Sequence, residues 1–260
     1  MNKLPLVEKI FRPKTLLPPT VLLTTNHLLV VNKSPGWLTV PTDDGWDPKC
    51  LVGHLQKLKL GGGSNKEWLN PLHRIDQPCS GLVVLGKTKR ACQRIQPLWR
   101  AGKVKKTYLV VLSEQHNPFP NWTKIGAHMI VVKKGAKKHL KQTVQFTDQI
   151  YPNTKYCELT YRSLSPTVIQ VTTNQGARHM VRGLLGYYGY RIAGDLRYGA
   201  NQALEDQSVA LHAQSITFPP ELALGNLETK YFEAPIPKTW KKYFGVTQDQ
   251  VTNWIQDNEK

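Results

Sequence analysis

Residues 70–88 read NPLHRIDQPCSGLVVLGKT, and this stretch contains the two features from which the rest of the chain is interpreted. Its second half includes Leu82–Leu85, a short continuous apolar run of the kind that forms a strand buried on both faces. Its first half places a cation and a carboxylate, Arg74 and Asp76, on a short loop. The stretch therefore predicts a core strand preceded by a loop that carries a candidate reactive carboxylate.

A helix is predicted directly after this strand. The side-chain oxygen of Thr88 can cap its first turn. The apolar residues that follow share one helical face, and they are Ala91, Cys92, Ile95, Leu98 and Trp99. Gly102 suits the end of the helix, because glycine readily adopts the left-handed conformation found there. The next apolar run, at 106–112, predicts a strand.

Most of the other regular segments also predict strands. Two short runs, at 21–23 and 28–32, flank the turn-like Thr25-Asn26 and predict a hairpin. Further strands are predicted at 143–146, 156–161, 168–172, 209–218 and 230–234. Because few helices separate these strands, the pattern favours an α+β fold with a mixed, largely antiparallel sheet and flanking helices.

The remaining segments are helical, extended or without a clear pattern. A helical stretch is predicted from Gly176 to about Tyr188, and a capping box at Thr247 and Gln250 predicts a C-terminal helix within 246–260. Prolines in residues 1–20 oppose a helix and predict an extended arm. Residues 113–140 show no clear periodicity, although Lys133–Lys138 form a basic cluster that is expected to be a loop.

The charge balance indicates a polyanionic partner. The chain contains 35 Lys and Arg residues against 18 Asp and Glu residues, a formal net charge of +17. An excess of this size in a folded domain favours nucleic acid over a merely solvated surface. A single carboxylate beside cations, in so basic a protein, suggests chemistry on RNA.

The four cysteines exclude several classes of protein. No two of them form a C-x-x-C pair or lie at zinc-ligand spacing from histidine, so no metal site is predicted. Their scattered positions favour a reducing compartment over a secreted disulfide framework. Cytoplasm and mitochondrial matrix both remain open as compartments.

No apolar run in the sequence approaches the roughly 18 residues of a membrane span.

Several motifs in a fixed order resemble one family. HRID at 73–76, followed by SG at 80–81, resembles the signature loop of RluA-type RNA pseudouridine synthases. Further segments resemble that family in the same order along residues 21–240. They are LLVVNKSPGWL at 28–38, KTY at 106–108, GARHMVR at 176–182, YRIAGD at 190–195, YG at 198–199, LHA at 211–213 and FP at 218–219.

The resemblance implies a fold and a reaction. Residues 21–245 are expected to form a pseudouridine synthase catalytic domain, which isomerises uridine in RNA to pseudouridine. The C1′–N1 bond must break, the uracil must turn, and a C1′–C5 bond must form. Since this isomerisation involves no redox step, no cofactor is implied. One ionised carboxylate must act at the sugar, as a nucleophile at C1′ or as a base at C2′.

The resemblance also assigns roles to particular residues. Asp76 is the expected reacting carboxylate, Tyr108 contacts the base, and Arg182 pairs with the aspartate. The expected RNA-binding residues are Arg74, Lys33, Lys106, Arg178 and His179. Each has an ordinary structural alternative: Asp76 as a turn cap, Tyr108 as core, and His73 and His179 as hydrogen-bonding groups of the fold. For Lys33, support of the active-site loop and contact with the RNA backbone are weighed about equally.

The expected partner is RNA, with ribosomal RNA first and transfer RNA second, and ribosomal proteins or assembly factors as further candidates. The sequence departs from the family pattern at four places: Ala177 replaces a basic residue, Met180 replaces a frequent glutamine, Gln77 follows Asp76 where a basic residue is common, and Ser34-Pro35 shifts the usual proline by one position. These departures leave an alternative open. The chain is then a catalytically weak or inactive RNA-binding factor with the synthase fold that acts in ribosome assembly.

Overall fold

The computed structural model describes residues 16–41, 50–63, 67–117, 121–134, 141–222 and 230–257. Most of the predicted N-terminal arm, and residues 135–138 of the predicted basic loop, lie outside this described part. The described strands are β1 Thr20–Thr24, β2 Leu28–Lys33, β3 Asn70–Pro71, β4 Ser80–Gly86, β5 Lys105–Val111, β6 Thr123–Lys134, β7 Lys141–Thr147, β8 Lys155–Ser163, β9 Val168–Thr173, β10 Leu211–Thr217 and β11 Tyr231–Glu233. The described helices are α1 Leu51–Lys57, α2 Lys89–Arg100, α3 Met180–Tyr187, α4 Thr239–Phe244 and α5 Gln248–Asp257.

All of these strands belong to one sheet. Its order is β1-β2-β4-β10-β5-β9-β8-β6-β7, with β3 paired to β4 and β11 paired to β10. Only the β4–β10 pairing is parallel among the described strand pairs. The predicted α+β fold with a mixed, largely antiparallel sheet is confirmed.

Strand β4 is buried on both faces, as its continuous apolar sequence predicts. Leu82 and Val84 pack with the apolar face of α2, whereas Val83 and Leu85 pack with α1 on the other side. All four side chains are fully buried. Burial of each such side chain contributes about 1.5–3 kcal/mol, so β4 and its two helices form a stable base for the loop that precedes it.

Helix α2 and the N-terminal hairpin follow the sequence prediction closely. The Thr88 hydroxyl accepts a hydrogen bond from the backbone N–H of Ala91 at 3.1 Å. Gly102, just beyond the helix, adopts a left-handed φ of 66°. Strands β1 and β2 pair antiparallel across Thr25. Local features of the sequence therefore place these elements where the sequence predicts them.

Other boundaries differ from the predictions. Helix α3 begins at Met180 rather than at Gly176, because His179 has a left-handed φ of 55° and ends the preceding loop. Strand β6, with 12 residues, falls in the region without a clear pattern, and α4 was not predicted. The capping box of α5 is confirmed: Gln250 N–H donates to the Thr247 hydroxyl at 3.3 Å, and Thr247 N–H donates to the Gln250 side chain at 2.9 Å.

None of the helices in the described ranges combines the length and the apolar character that a membrane crossing requires. The same residues include no group of three or more His, Cys, Asp or Glu side chains that is arranged to hold a metal ion.

Candidate active site

A cavity of about 310 Å³ opens where the loop before β4, strand β5 and the start of α3 meet. Seven of the eight predicted site residues line it, and they are Asp76, Tyr108, Arg182, Arg74, Lys106, Arg178 and His179. Lys33 is the exception. Residues more than a hundred positions apart in the sequence are thus brought into one site.

The loop that carries Asp76 is held against β10 by a close backbone approach. Gly81 has a φ of 118°, and a Cβ atom there would lie 2.3 Å from the carbonyl oxygen of Ala213. Only glycine fits this position without a shift of the backbone. Next to it, the Ser80 hydroxyl lies 2.9 Å from Nδ1 of the buried His212, whose Nε2 lies 3.1 Å from the carbonyl oxygen of Ala234. These contacts fix the C-terminal end of the loop.

One guanidinium joins two carboxylates beside the cavity. Arg182 donates from Nε and Nη2 to the two carboxylate oxygens of Asp195, at 2.6 and 2.8 Å. Its Nη1 donates to Oδ2 of Asp76 at 3.0 Å. The Asp195 side chain is 1% exposed and that of Asp76 is 19% exposed. Arg182 is therefore anchored on the buried Asp195 and presents its remaining edge to Asp76, which faces the cavity.

Asp195 is a residue of the candidate site that the sequence did not predict. It stands in the segment at 190–195 that resembles the family, but no role was assigned to it. The signal that could have identified it is its acidic character beside a glycine in that segment. Its partner lies 13 residues earlier on a different element, so the pairing itself depends on the tertiary fold.

The surroundings of Asp76 keep it ionised. Burial alone would raise the pKa of its carboxyl group, but the interactions with His179, Arg182 and Arg74 and the hydrogen bond from Arg182 outweigh burial and lower the pKa. Burial also lowers the pKa of His179 to about 3, although Asp76 opposes that shift. Since the imidazole is neutral at physiological pH, the guanidinium of Arg182 supplies the stabilising charge next to Asp76.

His179 lies where its ring can orient its neighbours. Its Nδ1 lies 3.0 Å from the hydroxyl of Tyr198, and its Nε2 lies 3.8 Å from Oδ1 of Asp76. The ring of Tyr198 also lies under the guanidinium of Arg182, 5.3 Å from its centre. The neutral ring and the tyrosine thus pack around the Asp76–Arg182 pair, in agreement with a hydrogen-bonding role in the fold.

Tyr108 projects from β5 into the cavity and is half-buried. Burial raises the pKa of its hydroxyl, and the nearby carboxylate of Asp76 raises it further. The phenol is therefore protonated at physiological pH. In this state it can hold a base by packing and by hydrogen bonding.

Lys33 is fully buried and lies outside the lining of the cavity. Its Nζ donates to the carbonyl oxygens of Cys79, Ser34 and Gln77 at 2.7, 3.2 and 3.3 Å. Burial lowers its pKa to about 7. This position is incompatible with the predicted contact to RNA, because no Lys33 surface is accessible. It agrees with the other role that the sequence left open, support of the loop that follows Asp76.

The mouth of the cavity is cationic and aromatic. Arg74 and Arg178 are exposed, whereas Lys106 is buried and donates to the carbonyl oxygen of Asn174 at 2.8 Å. The ring of Trp99 lies parallel to that of His73, with centroids 4.6 Å apart. Trp99 was predicted only as a helix residue of the core, and in the structure it forms part of the cavity wall.

The departures from the family pattern are divided between the cavity wall and its surroundings. Ala177 and Met180 both line the cavity. Gln77 instead donates from its side chain to the carbonyl oxygen of Gly36 at 3.0 Å. The two wall residues thus change what a ligand meets, whereas Gln77 joins the loop after Asp76 to the loop after β2.

Comparison with known proteins gives a consistent result. A family model described as RNA pseudouridylate synthase matches residues 27–186. Ribosomal large subunit pseudouridine synthase C of Buchnera aphidicola subsp. Acyrthosiphon pisum is 24% identical over 233 residues, covering 87% of this chain and 70% of that protein. The dual-specificity RNA pseudouridine synthase RluA of Haemophilus influenzae is 27% identical over 199 residues, covering 76% and 85% respectively. The solved structure of human RNA Pseudouridylate Synthase Domain Containing 1 has a TM-score of 0.64 at 19% identity, covers 94% of this chain and 97% of its own, and shows a shared fold.

Proposed function

Because the chain belongs to the RluA-type family of RNA pseudouridine synthases, we propose that it isomerises uridine to pseudouridine in RNA, with Asp76 as the reacting carboxylate. The observation that carries this proposal is the arrangement of Asp76, Arg182 and Asp195. It holds one ionised carboxylate at the wall of a cavity, and Tyr108 lies in the same cavity.

The roles of the two carboxylates follow from their hydrogen bonds. Both oxygens of Asp195 accept from Arg182, and the side chain has almost no exposed surface. Asp76 accepts from Arg182 only at Oδ2, so its Oδ1 remains directed toward the cavity and His179. A carboxylate with a free oxygen and a depressed pKa can attack C1′ or remove the proton from C2′, and either step releases the uracil as an anion.

Tyr108 and Arg182 have complementary parts in this scheme. The freed uracil must turn before C5 attacks C1′, and the proton on C5 must then pass to a base. The carboxylate of Asp76 is available for this, because either route regenerates it as the C1′–C5 bond forms. Tyr108 lines the cavity with a protonated hydroxyl, which suits it to hold the uracil through its ring and its O–H group. Arg182 keeps Asp76 ionised and fixed in direction.

The target uridine must leave its base stack to enter the cavity, which costs a few kcal/mol. Arg74 and Arg178 are exposed at the mouth, where contacts to phosphates can offset this cost. The net charge of +17 supports a large polyanion as substrate. We propose ribosomal RNA as the first candidate, in keeping with the name of the Buchnera relative, and transfer RNA as the second.

A second candidate function has a specific observation in its favour. Ala177 and Met180 line the cavity and supply neither a cation nor an amide to a bound nucleotide. The alternative is an RNA-binding factor with the synthase fold that assists ribosome assembly, with weak or no turnover and with ribosomal proteins or assembly factors as neighbours. The two candidates differ in one prediction. If the chain is an enzyme, an Asp76 variant has the same effect as a deletion, whereas an assembly factor still works without Asp76.

The experiment is chemical mapping of pseudouridine in RNA from cells that carry Asp76→Asn, Asp76→Ala, the wild-type gene or a deletion. The first proposal predicts that the same uridine is unmodified in both variants and in the deletion. Thermal unfolding of the purified variants controls for misfolding. If every pseudouridine persists in the Asp76 variants, catalysis by this chain is excluded. If only the deletion disturbs ribosome assembly, the assembly-factor alternative is supported.

A further inference from the structure

The sheet carries a second cavity, on the side opposite the cavity that Asp76 lines, which we call the catalytic cavity in accordance with the proposed function. The second cavity has a volume of about 740 Å³ and lies between α5, β11 and the outward face of β5, β8, β9 and β10. We call it the outer cleft. Its volume lies in the range of small-molecule sites, roughly 300–1,000 Å³. Its walls are hydroxyl and amide groups for the most part, which favours a polar ligand.

The two cavities share strand β5. Lys106 and Tyr108 line the catalytic cavity, whereas Lys105 and Thr107 line the outer cleft, because successive side chains of a strand point to opposite faces. An irregularity in β10 also affects which side chains face the outer cleft. Ala213 pairs with Tyr108 and Ser215 pairs with Thr107, so Gln214 is the additional residue of a β-bulge.

The bulge directs Gln214 as well as Ser215 into the outer cleft. Gln214 is 3% exposed, and its Nε2 donates to Oε1 of Glu233 at 3.1 Å. That hydrogen bond to a carboxylate fixes which end of the amide is the carbonyl. Among the side chains that the structure describes, the Gln214 Oε1 is a buried acceptor with no hydrogen bond. A buried unpaired acceptor is destabilising, and a ligand with an N–H donor would satisfy it.

Two further features of the cleft are suited to an aromatic ligand. The guanidinium of Arg162, itself buried, lies 4.9 Å from the ring centre of Trp122 and donates from Nε to the side chain of Gln170 at 2.9 Å. Trp122 is 45% exposed, so one part of its ring is available at the cleft. Exposed aromatic rings beside cations are the usual platforms on which unpaired bases stack.

We propose that the outer cleft binds an unpaired nucleotide of the RNA substrate, with its base between Trp122 and Gln214 and its phosphate at Lys105. All four bases present an N–H donor on the Watson–Crick edge, which matches the free carbonyl of Gln214. The carboxylate of Glu233 disfavours a phosphate deep in the cleft, whereas Lys105 is exposed at its rim. This inference depends on the proposed function only in taking RNA as the ligand.

Strand β5 also provides a path between the two sites. Lys105 and Lys106 are consecutive residues at its start, one on each face of the sheet. An RNA strand that leaves the catalytic cavity near Lys106 would reach the outer cleft across the edge of the sheet where β5 begins beside the ends of β9 and β10. The nucleotide bound there lies close in sequence to the target uridine, on one side of it.

The test compares Trp122→Ala and Gln214→Leu with wild type and with the control Tyr151→Ala, an aromatic residue of equal exposure (46%) that lines neither described cavity. The substrate is a stem–loop that contains the target uridine, with and without single-stranded flanks that carry 4-thiouridine. We expect photo-crosslinks to peptides that contain Trp122 or Tyr231. We also expect a KM about tenfold higher or more for Trp122→Ala on the flanked substrate, with kcat unchanged. Gln214→Leu should have a similar effect if it folds, and Tyr151→Ala should have none.

The outcomes distinguish this inference from the proposed function. If wild-type protein isomerises the uridine while crosslinks occur only at the catalytic cavity and Trp122→Ala behaves as wild type, the outer cleft does not bind RNA. Occupation of the cleft by a protein segment, detected as protection of its peptides without RNA, also overturns the inference. If the RNA crosslinks at Trp122 but no pseudouridine forms in wild-type protein, the cleft assignment stands and the proposed function fails.

Discussion

Replacement of Asp195 by asparagine removes the anchor of Arg182 and keeps the shape of the side chain. Both oxygens of Asp195 accept charged hydrogen bonds from Arg182, and both residues are buried. Removal of one partner from a buried ion pair costs about 3–5 kcal/mol, and a charged hydrogen bond contributes about 1.5–3 kcal/mol. Since asparagine retains one acceptor, we expect the free energy of unfolding to fall by about 2–4 kcal/mol.

Asp195→Asn should also shift the pH dependence of catalysis, which a loss of stability alone does not do. Without Asp195, Asp76 is the only carboxylate bonded to Arg182 in the described part of the site. The guanidinium then interacts more strongly with Asp76, lowers its pKa further and makes it less reactive. Because the carboxylate of Asp76 is less reactive, we expect kcat to fall about tenfold, which corresponds to about 1.4 kcal/mol less stabilisation of the transition state. Because its pKa is lower, we expect the acid limb of the kcat/KM profile to move to lower pH.

The assays are denaturant unfolding and a tritium-release or mapping assay across pH, carried out on Asp195→Asn and on Asp148→Asn. The control removes a charge from an exposed carboxylate, which accepts from the Tyr187 hydroxyl at 2.8 Å. It should change stability by less than about 0.5 kcal/mol. An Asp195→Asn protein with wild-type stability and kcat would refute the anchoring role. A shift of the acid limb to higher pH would refute the inferred strengthening of the interaction between Arg182 and Asp76.

Three further predictions concern Arg182, Lys33 and Gly81, which contact Asp76 or support the loop that carries it. Arg182→Gln should shift the acid limb of kcat/KM to higher pH, because the lowered pKa of Asp76 depends on that guanidinium, and a pH-rate profile measures it. Burial lowers the pKa of Lys33 from 10.5 to about 7, so between these pH values the unfolded chain binds a proton that the folded protein does not. The stability of the wild-type protein should therefore increase by up to a few kcal/mol as pH rises from about 7 toward 10.5. Lys33→Met should lack this increase in unfolding curves measured at each pH. Gly81→Ala should cost about 3 kcal/mol or more, because its Cβ would lie 2.3 Å from a backbone oxygen at a φ of 118°. The control Gly53→Ala, in α1 with no atom within 4 Å, should be neutral or stabilising in the same melting experiment.

The elements that could be predicted are those whose signals are local. Thr88 caps α2 through a residue three positions away, and Leu82–Leu85 is apolar without interruption because helices cover both faces of β4. Strand β6 carries a local signal that the sequence prediction overlooked, because the buried residues Ile125, Ala127 and Met129 alternate with polar or small residues. Its partners, β7 and β8, could not be deduced from that pattern, because strand pairing depends on the tertiary fold.

The site shows the same limit. Asp76, Tyr108 and Arg182 could be proposed because each stands in a segment that resembles a family, and the structure brings all three to one cavity. The burial of Lys33 could not be anticipated, because a lysine at the end of a buried strand is usually solvated. Its burial depends on three carbonyl oxygens, two of which come from the loop more than forty residues later. Contacts of this kind exist only after the loop has folded onto β2.

The positions of Ala177 and Met180 bear on the choice between an enzyme and an assembly factor. Both residues lie on the wall, and neither takes part in the hydrogen bonds that join Asp76, Arg182 and Asp195. A change on the wall alters how a nucleotide is held, whereas the ionisation of Asp76 depends on its contacts with Arg182 and on burial. Substitution of Met180 by glutamine should therefore change KM more than kcat if the chain is an enzyme. If the wild-type protein has no measurable turnover and Met180→Gln restores it, the wall is what prevents catalysis, and the assembly-factor function becomes the better explanation.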